Sequence, residues 1–288
     1  MKKTLSVILA AVMLLAAVLT LGSCGKSSGK VKVVDIALSE ESYAFAVSKE
    51  DAELLGKVNE YLAKIKADGT FDAICDKYFG SGTPEKITSA ALDSSKDQLV
   101  VATSTGFEPF EMVDADGKFY GIDLEIASGL AKYLGKELVI QDMKFEAVVT
   151  SVQTGICDIA MAGLTITPGR QEVVTFSDSY YNAAQVLIVP EECTDFDSCK
   201  TADDVVAVLD KLTSSSKIGC QSGTTGETYI DGDLDKGDEG YGFKGVPATK
   251  KAYDYAALAI TAMLNGEINY VILDNAPANA IAKSVNGK

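Results

Sequence analysis

The chain has no histidine and a single arginine, Arg170; every other basic side chain is lysine. The first absence excludes His-based catalytic triads, most His-dependent acid–base chemistry and the commonest zinc ligands. Cysteine is sparse too, and no spacing among the six suggests a metal site, so no metal or cofactor is expected. The scarcity of arginine has the opposite meaning. A guanidinium grips a carboxylate through two parallel hydrogen bonds, which lysine, a point charge on a flexible stem, cannot copy. AT-rich coding also favours lysine and can leave one arginine by accident, so the neighbours of Arg170 carry the argument.

Those neighbours run Asp158-Ile-Ala-Met-Ala-Gly-Leu-Thr-Ile-Thr-Pro-Gly-Arg170. Ile159 to Met161 have the pattern of a short buried strand. Gly163 allows close backbone approach, and Thr165 and Thr167 put hydroxyls just beyond the strand end. Pro168 suits the first turn of a helix, which places Arg170 on that turn, aimed back at the strand. Ligands of open α/β sheets bind outside the carboxyl ends of the strands. The chemistry on offer is a carboxylate clamp.

Acidic residues outnumber basic ones, 41 to 26, for a net charge of −15, so nucleic acid is not a partner. Met1-Lys-Lys and the apolar run Leu5 to Leu21 form a signal peptide, too short and wrongly flanked for a spanning helix. Leu21-Gly-Ser-Cys24 resembles a bacterial lipobox. The expectation is a lipoprotein signal peptide over 1–23, a lipidated Cys24, and a polar tether over 24–30 that anchors the protein to the cell membrane. The alternative is an ordinary secretory signal with a bystander cysteine. Cys193 and Cys199 flank a short acidic segment, a spacing that suits a disulfide in an oxidising compartment or two free thiols. Cys157 and Cys220 sit in apolar strand contexts and read as packing residues.

Beyond the leader, length allows two compact lobes. Val31 to Ala37 and Tyr43 to Val47 read as strands. From Asp51, Leu54, Leu55, Val58, Tyr61, Leu62 and Ile65 recur at helical spacing, with Gly69 as a stop. A second short helix covers Phe71 to Phe79, and the polar residues 81–97 read as a linker. The remainder alternates strand and helix: strands at Leu99 to Thr103, Glu137 to Ile140, Lys217 to Cys220 and Tyr270 to Leu273, and helices from Ile122, Phe145 and Tyr253. This is an α/β chain with βαβ units in each half.

The segment AGLTITPGRQEVVTFSDSYY resembles the signature of the polar-amino-acid solute-binding proteins of bacterial ABC transporters, extracellular solute-binding protein family 3. LVVATSTGFEPFE and GIDLEIASGLAKYLG before it, and IGCQSGTTGE and YVILDNAPA after it, occur in the family's order. The resemblance implies a two-lobed fold of the periplasmic-binding-protein type (type II), with lobe 1 at 98–186, lobe 2 at 187–288, and crossing strands at Gln185–Val189 and Tyr43–Val47. It also implies a monomer that captures a free amino acid and delivers it to an ABC permease, with no catalysis. In the family, the segment matching ESYAFAVSKEDAELLGKVNEYLAKIKADGTFDAICDKYFG lies at the carboxyl end. Here residues 31–80 come first, so the order looks circularly permuted. An assembly or engineering artefact would leave the same sequence, and so would a domain swap in which 31–80 completes a neighbouring molecule.

The resemblance further implies a ligand set. Arg170, Thr165, Thr225 and Thr224 would hold the ligand carboxylate, and Asp274 with Gly163 the ammonium. Asp274 and the SGTTG turn also suit simple helix capping. Phe107, Phe145, Ser104, Gln221 and Asn275 would line the side-chain pocket, whereas Phe110 reads as core. Several relatives carry aspartate where this chain has Ser104, so the expected ligand is an uncharged polar amino acid. A ligand-sensing module for a separate receptor and an enzyme resembling cyclohexadienyl dehydratase are the competing functions.

Overall fold

The alternation of strands and helices builds two open sheets that face each other across a cleft. The computed structural model describes residues 29–233 and 241–287; Cys24 and the leader lie outside them. The chain begins with β1 (Val31–Val34), β2 (Glu41–Tyr43), β3 (Ala46–Ser48), α1 (Ala52–Ala67) and α2 (Thr70–Phe79). It continues through β4 (Gln98–Thr103), β5 (Met112–Val113), β6 (Phe119–Tyr120), α3 (Ile122–Leu134), β7 (Glu137–Asp142), α4 (Phe145–Gln153), β8 (Ile159–Ala160), α5 (Pro168–Gln171) and β9 (Val174–Phe176). The last stretch holds β10 (Tyr181–Ala183), β11 (Gln185–Pro190), α6 (Ala202–Leu209), β12 (Lys217–Gln221), α7 (Thr225–Asp231), β13 (Thr249–Tyr253), α8 (Ala256–Leu264), β14 (Tyr270–Asp274) and α9 (Asn275–Val285).

One sheet has the order β7-β4-β8-β3-β9 and the other β1-β11-β14-β12-β13. Each has a parallel core of three strands: β4 beside β7 and β8, and β12 beside β13 and β14. Their carboxyl ends deliver Ser104 to Phe107, Gly163 to Thr165, Ser222 to Thr225 and Asp274 into the space between the lobes.

Residues 31–80 supply a strand to each sheet: β1 pairs antiparallel with β11, and β3 lies between β8 and β9. Asp51 caps α1 by accepting the Leu54 N–H, and Val58, Tyr61, Leu62 and Ile65 form its buried stripe. α1 approaches α3 so closely that a Cβ on Gly129 would lie 1.9 Å from the Tyr61 hydroxyl, which leaves glycine as the fit there. α2 is held through Tyr78, whose hydroxyl donates to buried Glu125 and accepts the Gly121 N–H. At the far end, the Asn286 side chain exchanges two hydrogen bonds with the backbone of Val31.

The crossing strands differ from expectation. The lobes are linked by β2 and β10, an antiparallel pair that matches Tyr43 with Tyr181 and Glu41 with Ala183. Gln185–Val189 belongs instead to β11, wholly inside the second sheet between β1 and β14. Its continuous apolar run is what a strand buried on both faces requires. The crossing strands are short and mix polar with aromatic residues, which hides them. Tyr43–Val47 likewise divides at Ala44 and Phe45 between the crossing and the first sheet. The helix expected from Tyr253 starts at Ala256, because β13 runs to Tyr253.

The segment 81–97 is docked rather than free. Ile87 exchanges backbone hydrogen bonds with Phe119, Ala90 N–H donates to Leu138, and Ser89 Oγ accepts from Ile140 N–H. This covers the outer edge of β7, and Ile87 packs against Leu124 and Ile140. Ile87→Ala should therefore lower stability by about 2–5 kcal/mol, read by denaturant unfolding. Leu92→Ala, at a side chain 60% exposed, should change it by no more than about 0.5 kcal/mol.

Candidate functional site

Arg170 sits where its neighbours imply, on the single turn of α5. Thr167 caps that turn by accepting the Arg170 N–H, and Pro168 occupies the first position. The guanidinium lies 5.2 Å from the centre of the Phe145 ring, within cation–π range. Its Nη1 donates to Thr165 O (2.7 Å) and its Nη2 to Gly223 O (3.0 Å), so it ties a loop of the first lobe to a loop of the second. Tyr241 OH to Ile166 O and the Lys144–Asp254 ion pair also span the lobes. Beside Arg170 opens a cleft of about 360 Å³, lined by Thr167 and Glu172 on one side and Gly223, Thr228 and Tyr241 on the other.

Asp274 is the geometric N-cap of α9, yet its side chain makes no capping bond. Its Oδ1 instead accepts a 2.6 Å bond from Tyr43 OH. Gly163 has φ +52°, and a Cβ there would meet the Phe107 ring at 2.8 Å, so glycine is required for Phe107 to lie against this loop. Phe107 is buried beside Phe110, which is wholly core and meets Tyr43 edge-on. Ser104 is buried, and its hydroxyl has no hydrogen-bond partner among the described residues. Gln221 ends β12 fully enclosed, whereas Asn275 is half-buried with Oδ1 on the Ala276 N–H.

The threonines are engaged differently from the ligand set first drawn up. Thr224 Oγ1 donates to Gln221 O. Thr165 Oγ1 (2.8 Å) and Thr225 Oγ1 (2.7 Å) both donate to one oxygen, Oε2 of Glu41. Oε1 of Glu41 accepts from Ser39 Oγ and Gln185 Nε2, and the same Gln185 nitrogen reaches Thr225 Oγ1. Glu41, Gln185 and Tyr43 are the site residues that sequence reasoning missed. Period-two alternation was the available signal, since Glu41 and Tyr43 share one face of β2 while Glu40 is exposed. Thr165 N–H takes no part in the bridge to Tyr43, whose bonds run from Ala44 N–H to Leu164 O and from Ile166 N–H to Ser42 O. That N–H is directed away from the crossing strand.

The site is rich in buried acid. Burial pushes Asp274 up to about 7, with the charge of Glu41 adding and the Tyr43 and Gln185 hydrogen bonds opposing. Asp123 accepts from Gly163 N–H and Tyr180 OH, and burial raises it to about 7. Glu111, with neither oxygen partnered among the described residues, is driven well above the ordinary carboxylate range by burial, with Asp123, Asp142 and Asp274 adding to the shift. Burial lowers the pKa of Arg170, against the pull of Glu41 and Asp274.

Cys193 and Cys199 are free thiols, not a bridge. Each sits in its own turn, with Cys193 N–H on Pro190 O and Cys199 N–H on Phe196 O, and both pack on the second lobe's core. No metal-binding cluster and no helix long and apolar enough to cross a membrane occur among the described residues.

Two α/β lobes joined by a pair of crossing strands, with charged groups at the strand ends facing one cleft, define a binding-protein architecture. Residues 99–270 match the profile of the bacterial extracellular solute-binding proteins, family 3, and the chain belongs to that family. It is 36% identical over 101 residues to the arginine-binding extracellular protein ArtP of Bacillus subtilis, a match covering 35% of this chain and 39% of that relative. An ancestral arginine-binding protein bound to arginine superposes with a TM-score of 0.54 at 31% identity, over 66% of this chain and 75% of that one. The ancestral amino-acid-binding protein AncCDT-1, a precursor of cyclohexadienyl dehydratase, gives 0.54 at 28%, over 65% of this chain and 75% of that one.

The raised acids fix the sign of a pH effect. Asp123 and Asp274 have folded values near 7 against an ordinary 3.8, and Glu111 moves the same way. The contribution of the two aspartates is full below about pH 4 and is lost as pH rises through 7, and that of Glu111 is likewise lost on the alkaline side. The melting temperature without added amino acid should fall from pH 5 to pH 8, and Glu111→Gln should flatten that slope.

Proposed function

We propose that the protein is an extracytoplasmic receptor that closes two lobes over an α-amino acid and passes it to an ABC permease. The observation that carries this reading is Arg170 reaching both lobes beside one cleft, close enough to Asp274 for that charge to act on it. Arg170 has five N–H donors and uses one from each terminal nitrogen on carbonyls, so three are left for a carboxylate. The Thr165 N–H, directed away from the crossing strand, would add a donor, and Asp274 would face the ammonium. A ligand touching both lobes favours the state in which they meet, which is capture by population shift.

Lipidation at Cys24 would tether this receptor outside the cell membrane, and it would act as a monomer. The permuted order has support in the matched region starting at Leu99 while residues 31–80 complete both sheets. Catalysis is not part of the reading: the buried acids beside the cleft have no general-acid motif behind them, and the relatives are named for binding.

The unpartnered Ser104 hydroxyl favours an uncharged polar ligand side chain, of the glutamine kind. Arginine is the second reading, favoured by the names of the relatives and by the surplus of buried carboxyls around one guanidinium. Thermal unfolding against all twenty amino acids decides between them. Ligand at a hundredfold excess over Kd should stabilise by about 2.7 kcal/mol, and Arg170→Lys should abolish the shift. No shift with any amino acid would overturn the receptor reading.

Proton linkage gives an independent check. An ammonium beside Asp274 needs the ionised carboxylate, so binding at pH 6–7 should release a proton and binding at pH 9 should release none. Calorimetry in buffers of different ionisation enthalpy measures this, and Asp274→Asn should remove the pH dependence together with most of the affinity.

A further inference from the structure

We propose that Glu41 is a positioning residue for capture, a carboxylate clasp that couples the meeting of the lobes to the seat where ligand binds. Its Oε2 takes the hydroxyl of Thr165 from the first lobe at 2.8 Å and that of Thr225 from the second at 2.7 Å. Its Oε1 is held by Ser39 Oγ (2.7 Å), from the connection that precedes β2, and by Gln185 Nε2 (3.0 Å), at the start of β11. The two oxygens thus take four hydrogen bonds. Glu41 is 4% exposed, and a buried carboxyl group that loses any of its four hydrogen-bond partners without gaining water is destabilised. Separating the lobes moves Thr165 from Thr225 and breaks at least one of the two bonds to Oε2. The clasp therefore favours the state in which the lobes meet, before any ligand contact is counted.

The clasp also sets hydrogen-bond polarity at the seat. Each threonine hydroxyl has one proton, and both protons are turned toward Glu41. Neither is left to donate to a bound carboxylate. What Thr165 Oγ1 still offers a ligand is a lone pair, which suits an ammonium. The anion end of the seat is left to Arg170 and main-chain N–H groups. This deepens the receptor reading and rests on it for the ligand half only; the coupling of the lobes is testable without ligand.

The test uses the chain from Gly25, which holds every element described, in wild-type, Glu41→Gln, Thr225→Val and Thr225→Ser forms. Small-angle X-ray scattering without amino acid reports lobe separation, and stopped-flow with L-glutamine and L-arginine reports capture. Glu41→Gln and Thr225→Val should both scatter as more extended particles, and bound amino acid should leave about tenfold faster. Thr225→Ser keeps the hydroxyl and should match wild type in both measurements. Scattering unchanged in Glu41→Gln and Thr225→Val overturns the clasp, even if affinity falls. Extended scattering in both variants, with neither amino acid bound by wild type, upholds the clasp and removes the receptor reading for these two ligands. Should Glu41→Gln fail to fold, the Thr225→Val and Thr225→Ser pair decides alone.

Discussion

Arg170 lies half-buried between two lobes in a space where the charges of Glu41 and Asp274 both act on it, and those two carboxyls are cut off from water. An isolated buried charge is costly, so such a set persists only when every member is paired or hydrogen-bonded. The solutions found here differ. Arg170 turns to two carbonyls and an aromatic face, Glu41 gathers four donors, and Asp274 leans on a tyrosine hydroxyl while its pKa climbs. Loop conformation on both sides of the cleft follows from these requirements, because most of the donors and acceptors sit at strand ends.

The acids behind the cleft belong to the same economy. Asp123 fixes Gly163 through its N–H, and Gly163 in turn leaves room for the Phe107 ring. A group two steps removed from the seat thus holds the loop that carries Thr165 toward it. Glu111 has no such task that its contacts reveal; its buried oxygens are unpartnered among the described residues.

The positions of Arg170 and Asp274 were legible in sequence, because Thr167 and Pro168 mark the start of α5 and Asp274 closes the apolar run of β14. The second sheet's parallel core and the helix over Ala52–Ala67 were legible for the same reason, period and caps agreeing. Glu41 was not, because its meaning depends on partners 124, 144 and 184 residues away. Ser-Glu-Glu-Ser is an ordinary polar stretch until pairing with β10 decides which glutamate faces inward. The crossing strands failed to show for a related reason: three residues apiece carry too little pattern, while the longer apolar run of β11 imitates what a crossing was expected to be. Residues 81–97 hide their docking in one isoleucine and a few backbone bonds, which periodicity cannot register.

The lobe contact and the acid of the proposed ligand seat are organised by the same strand. In β2, Glu41 and Tyr43 are two residues apart and point to one face. Glu41 binds the Thr165 and Thr225 hydroxyls where the two lobes meet, and Tyr43 holds Asp274, the proposed partner of the ammonium. The separation of the Glu41 clasp from Asp274 is therefore tied to the rise of two residues along a strand, a distance that thermal motion of loops cannot easily change. Register protects it: a slip of one residue against β10 would turn both side chains out of the cleft together and bring Ser42 in. The edge-on contact of Tyr43 with Phe110 and its tilted contact with Tyr181 resist that slip, since Tyr43 would have to leave both rings. A segment that comes early in the chain thus fixes the geometry of a site whose other residues all come after residue 100.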